Sequence, residues 1–285
     1  MSDLSTTLST TVQFHTGGTI PQMGLGVFQV KPDETERVVR DALEVGYRHI
    51  DTAAGYSNED GVGRALRASG LDRDDVFVTT KLRNGEQGFD SALRAYDASL
   101  ERLGMDAVDL YLIHWPYPAA GLWQETWRAF EKLLDEGRVR AIGVSNFMPE
   151  HIEELAAGAN HLPVINQVEL HPGWQQRDVQ ETCRKHGIAV QAYSPLGQTV
   201  SLELPEIVAI AEHHDVTPAQ VVLKWHMQHD VVVIPKTTSK ERMVTNASLD
   251  GLVLSDEEMA RIDALDGAGQ VGNDPREFNY DQMPR

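Results

Sequence analysis

A carboxylate and a phenol lie close together in the segment GYRHIDTAAGYSNEDGVGRAL, which begins at Gly46. The apolar first half of this segment predicts a buried strand that ends at Asp51, with Tyr56 just beyond it. Lys81 and His114 end two later apolar runs in the same way. An opposite charge at contact distance shifts a pKa by roughly 1 to 3 units, so Asp51 would hold Lys81 charged and the ammonium would lower the pKa of Tyr56 from about 10. These residues predict proton transfer at a substrate by Tyr56, with a neutral His114 donating a hydrogen bond to a carbonyl oxygen.

The elements that position these residues are short runs rich in apolar, β-branched and aromatic residues. The runs are MGLGVFQV, GYRHID, VFVTTK, VDLYLIH, VRAIGVSN, PVINQVEL, IAVQAYS and VVVIPK. Between them, segments such as ETERVVRDALEVG and DSALRAYDASLERLG have the apolar period of an amphipathic helix and end in Gly, as helix C-caps do. This alternation in a chain of 285 residues predicts an α/β fold, a (β/α)8 TIM barrel, as one domain over residues 1–285. The polar start, residues 1–11, is expected to be a flexible tail.

A barrel of parallel strands would bring the residues at the strand ends onto one rim, where the active sites of such barrels lie. These residues are Asp51, Lys81, His114, Ser145, Asn146, Gln167, Glu169, Tyr193, Ser194 and Lys236. Any one of them is equally well explained as the polar start of a loop. A purely structural ion pair between Asp51 and Lys81 is the less favoured alternative to a functional one. As a set they favour a functional site. A lysine and a histidine that follow apolar runs would be partly desolvated at the rim of the barrel, so each needs hydrogen-bond or ion-pair partners there.

The segments at the two ends of the chain are expected to cover the barrel. VQFHTGGTIP has apolar runs on either side of Thr-Gly-Gly-Thr, and it predicts a β-hairpin that would plug one end. DGAGQVGNDPREFNY loses helical periodicity and gains Gly, Asn, Asp and Pro. It therefore predicts an extended C-terminal tail over a barrel face.

A cationic cluster follows the last apolar run. The segment IPKTTSKERMVTN contains Lys236, Lys240 and Arg242, in a chain with a formal charge of −18. Barrels of this kind commonly bind phosphate in the loops after their seventh and eighth strands and at the N-terminus of a following helix. Lys236 and Arg242 are therefore predicted to bind the phosphate of a cofactor, whereas Lys240 is better explained as part of the solvated first turn of a helix.

The composition and the missing motifs exclude several classes of protein. The charge of −18 opposes binding to nucleic acid or to an anionic membrane, and the apolar runs are too short to span a bilayer. The single cysteine, Cys183, and a start without a signal-peptide pattern predict a cytoplasmic protein. No complete G-x-G-x-x-G, P-loop, G-x-S-x-G or H-E-x-x-H motif is present, so a Rossmann domain is not expected. The histidine pairs at 213–214 and 226–229 lack accompanying ligands, and no metal site is predicted.

Three segments together resemble the signature sequences of a known family. GYRHIDTAAGY, LERLGMDAVDLYLIHWP and VIPKTTSKERMVTN are similar, in this order, to the signatures of the aldo-keto reductases, and the resemblance runs from about Val12 to Tyr280. It implies a (β/α)8 barrel that binds NADPH without a Rossmann domain. The residues that match the family's catalytic tetrad are Asp51, Tyr56, Lys81 and His114. Tyr56 would be the general acid, and His114 would position the carbonyl group.

The same resemblance assigns residues to the parts of the dinucleotide. Those matched to the nicotinamide are Ser145, Asn146 and Gln167 at the carboxamide and Tyr193 stacked on the ring. Those matched to the remainder are Ser194 and Leu196 along the pyrophosphate, Lys236, Thr237 and Arg242 at the adenosine 2′-phosphate, and Asn246 near the adenine. Thr245 departs from the acidic or amide residue of many relatives, while Lys236 and Arg242 favour NADP over NAD.

The resemblance also implies an open substrate pocket. Phe28 and Trp115 match apolar pocket positions, and the loop WPYPAAGLW after His114 is short. This loop and the brief tail resemble bacterial members such as the 2,5-diketo-gluconate reductases. An NADP-dependent reductase of the alcohol dehydrogenase (NADP+) type is implied, which reduces small aldehydes, dicarbonyls and keto sugars to alcohols. A monomer is the expected state.

Two other classes of function remain open on the sequence alone. One is a non-catalytic binding protein of the same fold, as in the potassium-channel β subunits and some lens crystallins. The other is a barrel hydrolase with paired carboxylates, for which Asp51 and Glu169 are the candidates. In a hydrolase the cationic cluster would have no role.

Overall fold

A ring of parallel strands forms the centre of the computed structural model, which describes residues 5–267 and 269–279. The strands are β1 Thr11–Gln13, β2 Thr19–Pro21, β3 Leu25–Gly26, β4 His49–Asp51, β5 Phe77–Leu82, β6 Leu110–Ile113, β7 Ala141–Ser145, β8 Ile165–Glu169, β9 Ala189–Tyr193 and β10 Val232–Val233. Each of β3 to β10 falls on one of the predicted apolar runs, and each of β3 to β9 pairs in parallel with the next strand along the chain. The predicted (β/α)8 barrel is confirmed.

The first and last barrel strands meet, and their contact closes the ring. Met23 and Val233 form a parallel bridge, and the Gly24 amide donates to the Val233 carbonyl oxygen at 2.8 Å. A Cβ atom at Gly26 would lie 2.9 Å from the carbonyl oxygen of Ile234, so this close approach requires glycine. Closure places the carboxyl ends of all the barrel strands around one rim.

The helices lie between the strands and cover the outside of the barrel. They are α1 Ser5–Ser9, α2 Pro32–Val45, α3 Glu59–Ala68, α4 Phe89–Leu103, α5 Trp123–Asp135, α6 Pro149–Gly158, α7 Arg177–Lys185, α8 Pro205–His214, α9 Pro218–Gln228, α10 Lys240–Ala247 and α11 Asp256–Asp263. In α2, Val38, Val39 and Ala42 are buried on one face, and the helix ends at Gly46, whose φ of 117° suits a residue without Cβ. Within the described ranges, no helix is both long enough and apolar enough to cross a membrane.

The predicted hairpin is confirmed, and it closes the amino-terminal end of the barrel. β1 and β2 pair antiparallel. Phe14 and Ile20 of this hairpin pack on an apolar cluster at the amino-terminal side of the barrel, which comprises Leu110, Leu112, Ala141, Val164, Ile165 and Val232. The cleft described below therefore opens at the opposite end, where the strands finish.

The chain before the hairpin differs from the expected flexible tail. Residues 5–9 are helical, Leu8 is buried in the main core, and the Thr7 hydroxyl donates to the Asp250 carboxylate at 2.8 Å. Burial of the apolar Leu8 side chain offsets part of the entropy lost when this segment is ordered. Residues 1–4 lie outside the described residues.

The C-terminal tail lies over the carboxyl end of the barrel, as predicted. Phe278 stacks on Trp115 with ring centroids 4.1 Å apart, and the Ala119 amide donates to the Asn279 side chain at 3.0 Å. These contacts join the tail to the loop that follows β6. Tyr280, where the family resemblance ends, lies outside the described residues.

Two buried histidines should make the fold sensitive to acid. Burial lowers the pKa of His49 to about 4 and that of His226 to about 3, from an ordinary value of 6.5. Because the unfolded chain binds these protons and the folded chain does not, stability that is complete above pH 6.5 is lost as the pH falls toward 4 and then 3. The two residues together contribute a slope that reaches at most about 2.7 kcal/mol per pH unit, near pH 5, to the free energy of unfolding.

We expect His49→Gln to reduce this slope between pH 6 and pH 5 by about 1.2 kcal/mol per pH unit, because the unfolded histidine is not yet fully protonated at pH 6. Urea unfolding at the two pH values measures it. Between pH 7 and pH 8 the variant and the wild type should have the same slope, which provides the control. An unchanged slope between pH 6 and pH 5 would show that His49 does not resist protonation in the folded state.

Candidate active site

The polar residues at the strand ends meet around a cleft of about 320 Å³ at the carboxyl rim. The predicted site residues that line it are Phe28, Asp51, Tyr56, His114, Trp115, Ser145, Asn146, Gln167, Tyr193, Ser194 and Lys236. Lys81 contacts Asp51 from within the barrel. Leu196, Thr237, Arg242 and Asn246 do not line the cleft, and they lie in the loops after β9 and β10 and on α10.

Lys81 is the centre of a buried network. Its Nζ lies 2.5 Å from Asp51 Oδ1, 2.9 Å from the Thr52 carbonyl oxygen and 3.5 Å from the Tyr56 hydroxyl. Gln167 Nε2 donates to the other carboxylate oxygen of Asp51 at 2.8 Å. Because Lys81 has no exposed surface, these partners replace water around its ammonium. The network holds the Tyr56 hydroxyl beside the cleft.

The predicted lowering of the Tyr56 pKa is wrong. Burial raises the pKa of Tyr56 well above 10, and the negative charge of Asp51 raises it further. Lys81 Nζ lies closer to Asp51, at 2.5 Å, than to the Tyr56 hydroxyl, at 3.5 Å, and burial outweighs any lowering of the Tyr56 pKa by the ammonium. Tyr56 therefore keeps its proton at neutral pH, which suits a residue that donates a proton.

His114 packs against Tyr56 edge to face, with ring centroids 5.6 Å apart. Burial lowers the pKa of His114 well below 6.5, and the charge of Lys81 lowers it further. The imidazole is therefore neutral, as expected. A protonated phenol and a neutral imidazole N–H lining one cleft provide two hydrogen-bond donors for a single carbonyl oxygen.

A second hydrogen-bonded group lies at the ends of β7, β8 and β9. The Ser145 hydroxyl donates to the Gln167 carbonyl oxygen at 2.8 Å, and the Tyr193 hydroxyl donates to Asn146 Oδ1 at 2.9 Å. Asn146 and Ser194 adopt left-handed backbone conformations, with φ of 64° and 46°. Such conformations are costly for residues other than glycine, and they cluster at functional sites.

The cationic cluster lies at the start of α10. Lys236 and Arg242 are exposed, and neither forms an ion pair within the described part of the chain. Lys240, in contrast, binds Glu44 at 2.5 Å. The Ser239 hydroxyl caps α10 by accepting from the Arg242 amide at 3.3 Å. The two unpaired cations and the helix N-terminus together favour an anion such as phosphate.

Several cleft residues were not predicted from the sequence. They are Gly26, Pro195, Gln198, Ile234, Val271, Gly272 and Asn273. Gly26, Pro195 and Ile234 adjoin predicted strand ends, so the same strand-end argument extended by a residue or two would have included them. Gln198 lies in an irregular segment with a φ of 49°, and no sequence signal marks it.

Glu169, the candidate partner of Asp51 in a hydrolase, does not line the cleft. One of its carboxylate oxygens accepts from the Val271 amide at 2.6 Å, and the other accepts from the Gly272 amide at 2.7 Å. His171 lies 3.3 Å from the first oxygen. Since both oxygens bind the protein itself, the geometry opposes a paired-carboxylate hydrolase.

One of the two histidine pairs does have an accompanying ligand, contrary to the interpretation of the sequence. Glu258 Oε1 lies 3.1 Å from His213 Nδ1 and 2.8 Å from His214 Nε2, and among the described residues these three form the only cluster able to hold a metal ion. The other oxygen of Glu258 accepts from the Ser255 amide at 2.8 Å. These hydrogen bonds join α8 to α11 without a metal, and none of the residues lines the cleft.

The fold and the cleft define a (β/α)8 protein with a small-molecule site at its carboxyl rim. The Aldo/keto reductase family model matches residues 21–267. An aldo-keto reductase of Mycobacterium sp. (strain JLS) is 48% identical over 269 residues, which cover 94% of this chain and 98% of the relative. The glyoxal reductase of Bacillus subtilis (strain 168) is 45% identical over 278 residues, which cover 97% and 100%.

A crystal structure of a Gox0644 mutant in complex with NADPH is similar to this structure throughout. The TM-score is 0.91 and the sequence identity is 46%, with 95% of this chain and 99% of that chain covered. The chain belongs to the aldo-keto reductase family and is an oxidoreductase, as the resemblance implied.

Proposed function

We propose that this protein reduces aldehydes and ketones to alcohols with NADPH, as an aldo-keto reductase of the alcohol dehydrogenase (NADP+) type. The observation that carries the proposal is the position of the Tyr56 hydroxyl in the cleft, 3.5 Å from Lys81 Nζ, with the Tyr56 ring packed edge to face on His114. Two similar proteins support it, since one is a glyoxal reductase and the structure of another contains NADPH.

The chemistry of the cleft suits the nicotinamide end of NADPH. Ser145, Asn146 and Gln167 bring hydroxyl and amide groups to the ends of adjacent strands, where they would hold the carboxamide. The Tyr193 ring would stack on the nicotinamide. Ser194 and Leu196, which lie one and three residues beyond the end of β9, would lie along the pyrophosphate.

The start of α10 suits the phosphate end of the same cofactor. Lys236 and Arg242 are free of ion pairs within the described residues, and they would bind the 2′-phosphate together with Thr237. Asn246, which lies one turn beyond Arg242 on α10, would contact the adenine. NADH lacks the 2′-phosphate, so these residues favour NADPH.

The proposed reaction joins these two halves of the site. When bound, NADPH supplies the hydride that reduces the carbonyl carbon. Tyr56 donates its phenolic proton to the carbonyl oxygen, and His114 orients that oxygen with an N–H hydrogen bond. Lys81, held in place by Asp51, stabilises the negative charge that remains on the Tyr56 oxygen.

We propose small aldehydes, dicarbonyls and keto sugars as substrates. Phe28, which is 37% exposed, and Trp115 provide apolar walls to an open cleft. Apolar walls with few polar groups discriminate weakly between small carbonyl compounds. We further propose that the protein acts as a cytoplasmic monomer with one domain.

A panel of carbonyl substrates that includes glyoxal, assayed with NADPH and NADH in parallel, tests the proposed function. We expect NADPH oxidation that depends on the carbonyl compound and is much slower with NADH. A non-catalytic binding protein would bind NADPH without turnover, and a hydrolase would release product without NADPH. Either of these results would contradict the proposal.

A further inference from the structure

Glu169 is a buried carboxylate that the proposed chemistry does not use. It lies at the end of β8, is 1% exposed, and has His171 as the only basic side chain within 4 Å of its carboxylate in the described ranges. A carboxylate in such a place is costly unless hydrogen bonds replace its water. The amides of Val271 and Gly272, at 2.6 and 2.7 Å, provide these hydrogen bonds, although they lie more than a hundred positions later in the chain.

The segment that Glu169 binds is one wall of the cleft. Val271, Gly272 and Asn273 line the same cleft as Tyr56. A Cβ atom at position 272 would lie 2.4 Å from Glu169 Oε2, so only glycine lets the tail approach the carboxylate this closely. The backbone of this wall therefore lies directly against the carboxylate.

His171 extends the same contact to a second segment at the cleft. Its Nε2 lies 3.3 Å from Glu169, and its Nδ1 lies 3.4 Å from the hydroxyl of Ser201. Ser201 belongs to the irregular segment Gly197–Glu203, which also contains the cleft residue Gln198. One buried carboxylate and one imidazole thus join the tail and this segment beneath the cleft.

We propose that Glu169 is a positioning residue for substrate binding: it holds residues 271–273 as a wall of the cleft and takes no part in proton transfer. The expected effect on kinetics rests on the proposed carbonyl reduction, whereas the contact between Glu169 and the tail does not. Charge-assisted hydrogen bonds to a carboxylate are about twice as strong as neutral ones. In Glu169→Gln the side chain is neutral, and its NH2 group would face one of the two amide donors. This substitution should therefore release residues 271–273.

Hydrogen exchange tests the contact itself, without reference to activity. In Glu169→Gln the amides of residues 271 and 272 should exchange at least about 10-fold faster than in the wild type, because the groups that protect them are weakened. The amides of the barrel strands should keep their protection. If exchange at 271 and 272 is unchanged, Glu169 does not hold the tail and the proposal is wrong.

Steady-state kinetics test the consequence for the substrate. A displaced wall should raise the KM for the carbonyl substrate by about 10-fold, with kcat and the Kd for NADPH within about 3-fold of the wild type. A large fall in kcat at unchanged KM would place Glu169 in the chemical step and overturn the proposal. If the wild type reduces no carbonyl compound, the proposed function fails, and the exchange result still decides whether Glu169 holds the tail.

Glu131 offers a matched control. This glutamate is also buried, at 5% exposed, and its carboxylate accepts the amides of Asn160 and His161 at 2.6 and 2.9 Å on the outside of the barrel. Glu131→Gln should lower the melting temperature without changing the substrate KM or the exchange of residues 271 and 272. An equal rise in KM in this variant would show that the effect of Glu169→Gln is a general loss of stability.

Gly272→Ala breaks the same contact from the other side, because its Cβ would collide with Glu169 Oε2. If Glu169 acts through the tail, the single variants should raise KM to a similar degree, and the double variant should raise it little further. Additive effects of the two substitutions would show that the residues act independently, and this result would contradict the proposal.

Discussion

Replacing Tyr56 by phenylalanine is expected to lower kcat for carbonyl reduction by about 10²- to 10⁴-fold, the range that a positioned general acid contributes. The phenylalanine ring retains the packing against Phe28 and His114, whose ring centroids lie 5.1 and 5.6 Å away, so the pocket keeps its shape. Only the hydroxyl 3.5 Å from Lys81 Nζ is lost. The Kd for NADPH should therefore stay within about 3-fold of the wild type.

Tyr47→Phe is the matched control for this experiment. Tyr47 is buried outside the cleft, and its hydroxyl donates to the Met243 carbonyl oxygen at 3.1 Å. Its replacement should lower stability slightly and leave kcat unchanged. A Tyr56→Phe enzyme with full turnover would show that another group donates the proton.

Replacing both Lys236 and Arg242 by alanine is expected to raise the KM for NADPH by about 10²- to 10⁴-fold. Hydrogen bonds to charged groups contribute about 1.5 to 3 kcal/mol each, and each 1.4 kcal/mol corresponds to a factor of ten. The KM for NADH should change by less than about 3-fold, because NADH has no phosphate for these residues to bind. Kinetics with the two cofactors at fixed substrate concentration measure the difference.

Lys240→Ala provides the control in the same cationic cluster. Lys240 is exposed, as Lys236 and Arg242 are, but it pairs with Glu44 on α2 at 2.5 Å. Its removal should leave both KM values unchanged. Equal losses for NADPH and NADH in the Lys236 and Arg242 double variant would mean that these residues shape the site without recognising the phosphate.

The barrel and the gathering of the site could be predicted because both follow from local patterns. Six of the eight apolar runs end at a polar residue, and parallel strands bring such ends together, so Asp51, Lys81 and His114 meet although about sixty residues separate the first from the last. The cationic residues after β10 could be assigned to phosphate because they stand out in an acidic chain. The signature segments added the roles of individual residues.

The electrostatics of Tyr56 could not be predicted in the same way. A pattern shows that a lysine and a carboxylate lie near the phenol, but the sign of the pKa shift depends on burial and on which partner is closer. Lys81 lies nearer to Asp51 than to Tyr56, and burial controls the result. Distances of this kind are set by tertiary packing alone.

The hydrogen-bond partners of Glu169 could not be predicted from the sequence either. Its carboxylate binds amides of the tail 102 and 103 positions away, and backbone amides carry no signature in a sequence. The helix at Ser5–Ser9 was missed for a related reason, because a short polar segment folds only where Leu8 finds an apolar surface.

The hairpin that seals the amino-terminal end of the barrel has a practical consequence. Gly17 and Gly18 at its turn are exposed, and the cleft opens at the far end of the molecule. A linker inserted at this turn would tether the enzyme to a solid support with the cleft facing the solution. Immobilised in this orientation, it should retain free diffusion of cofactor and carbonyl compound to the cleft.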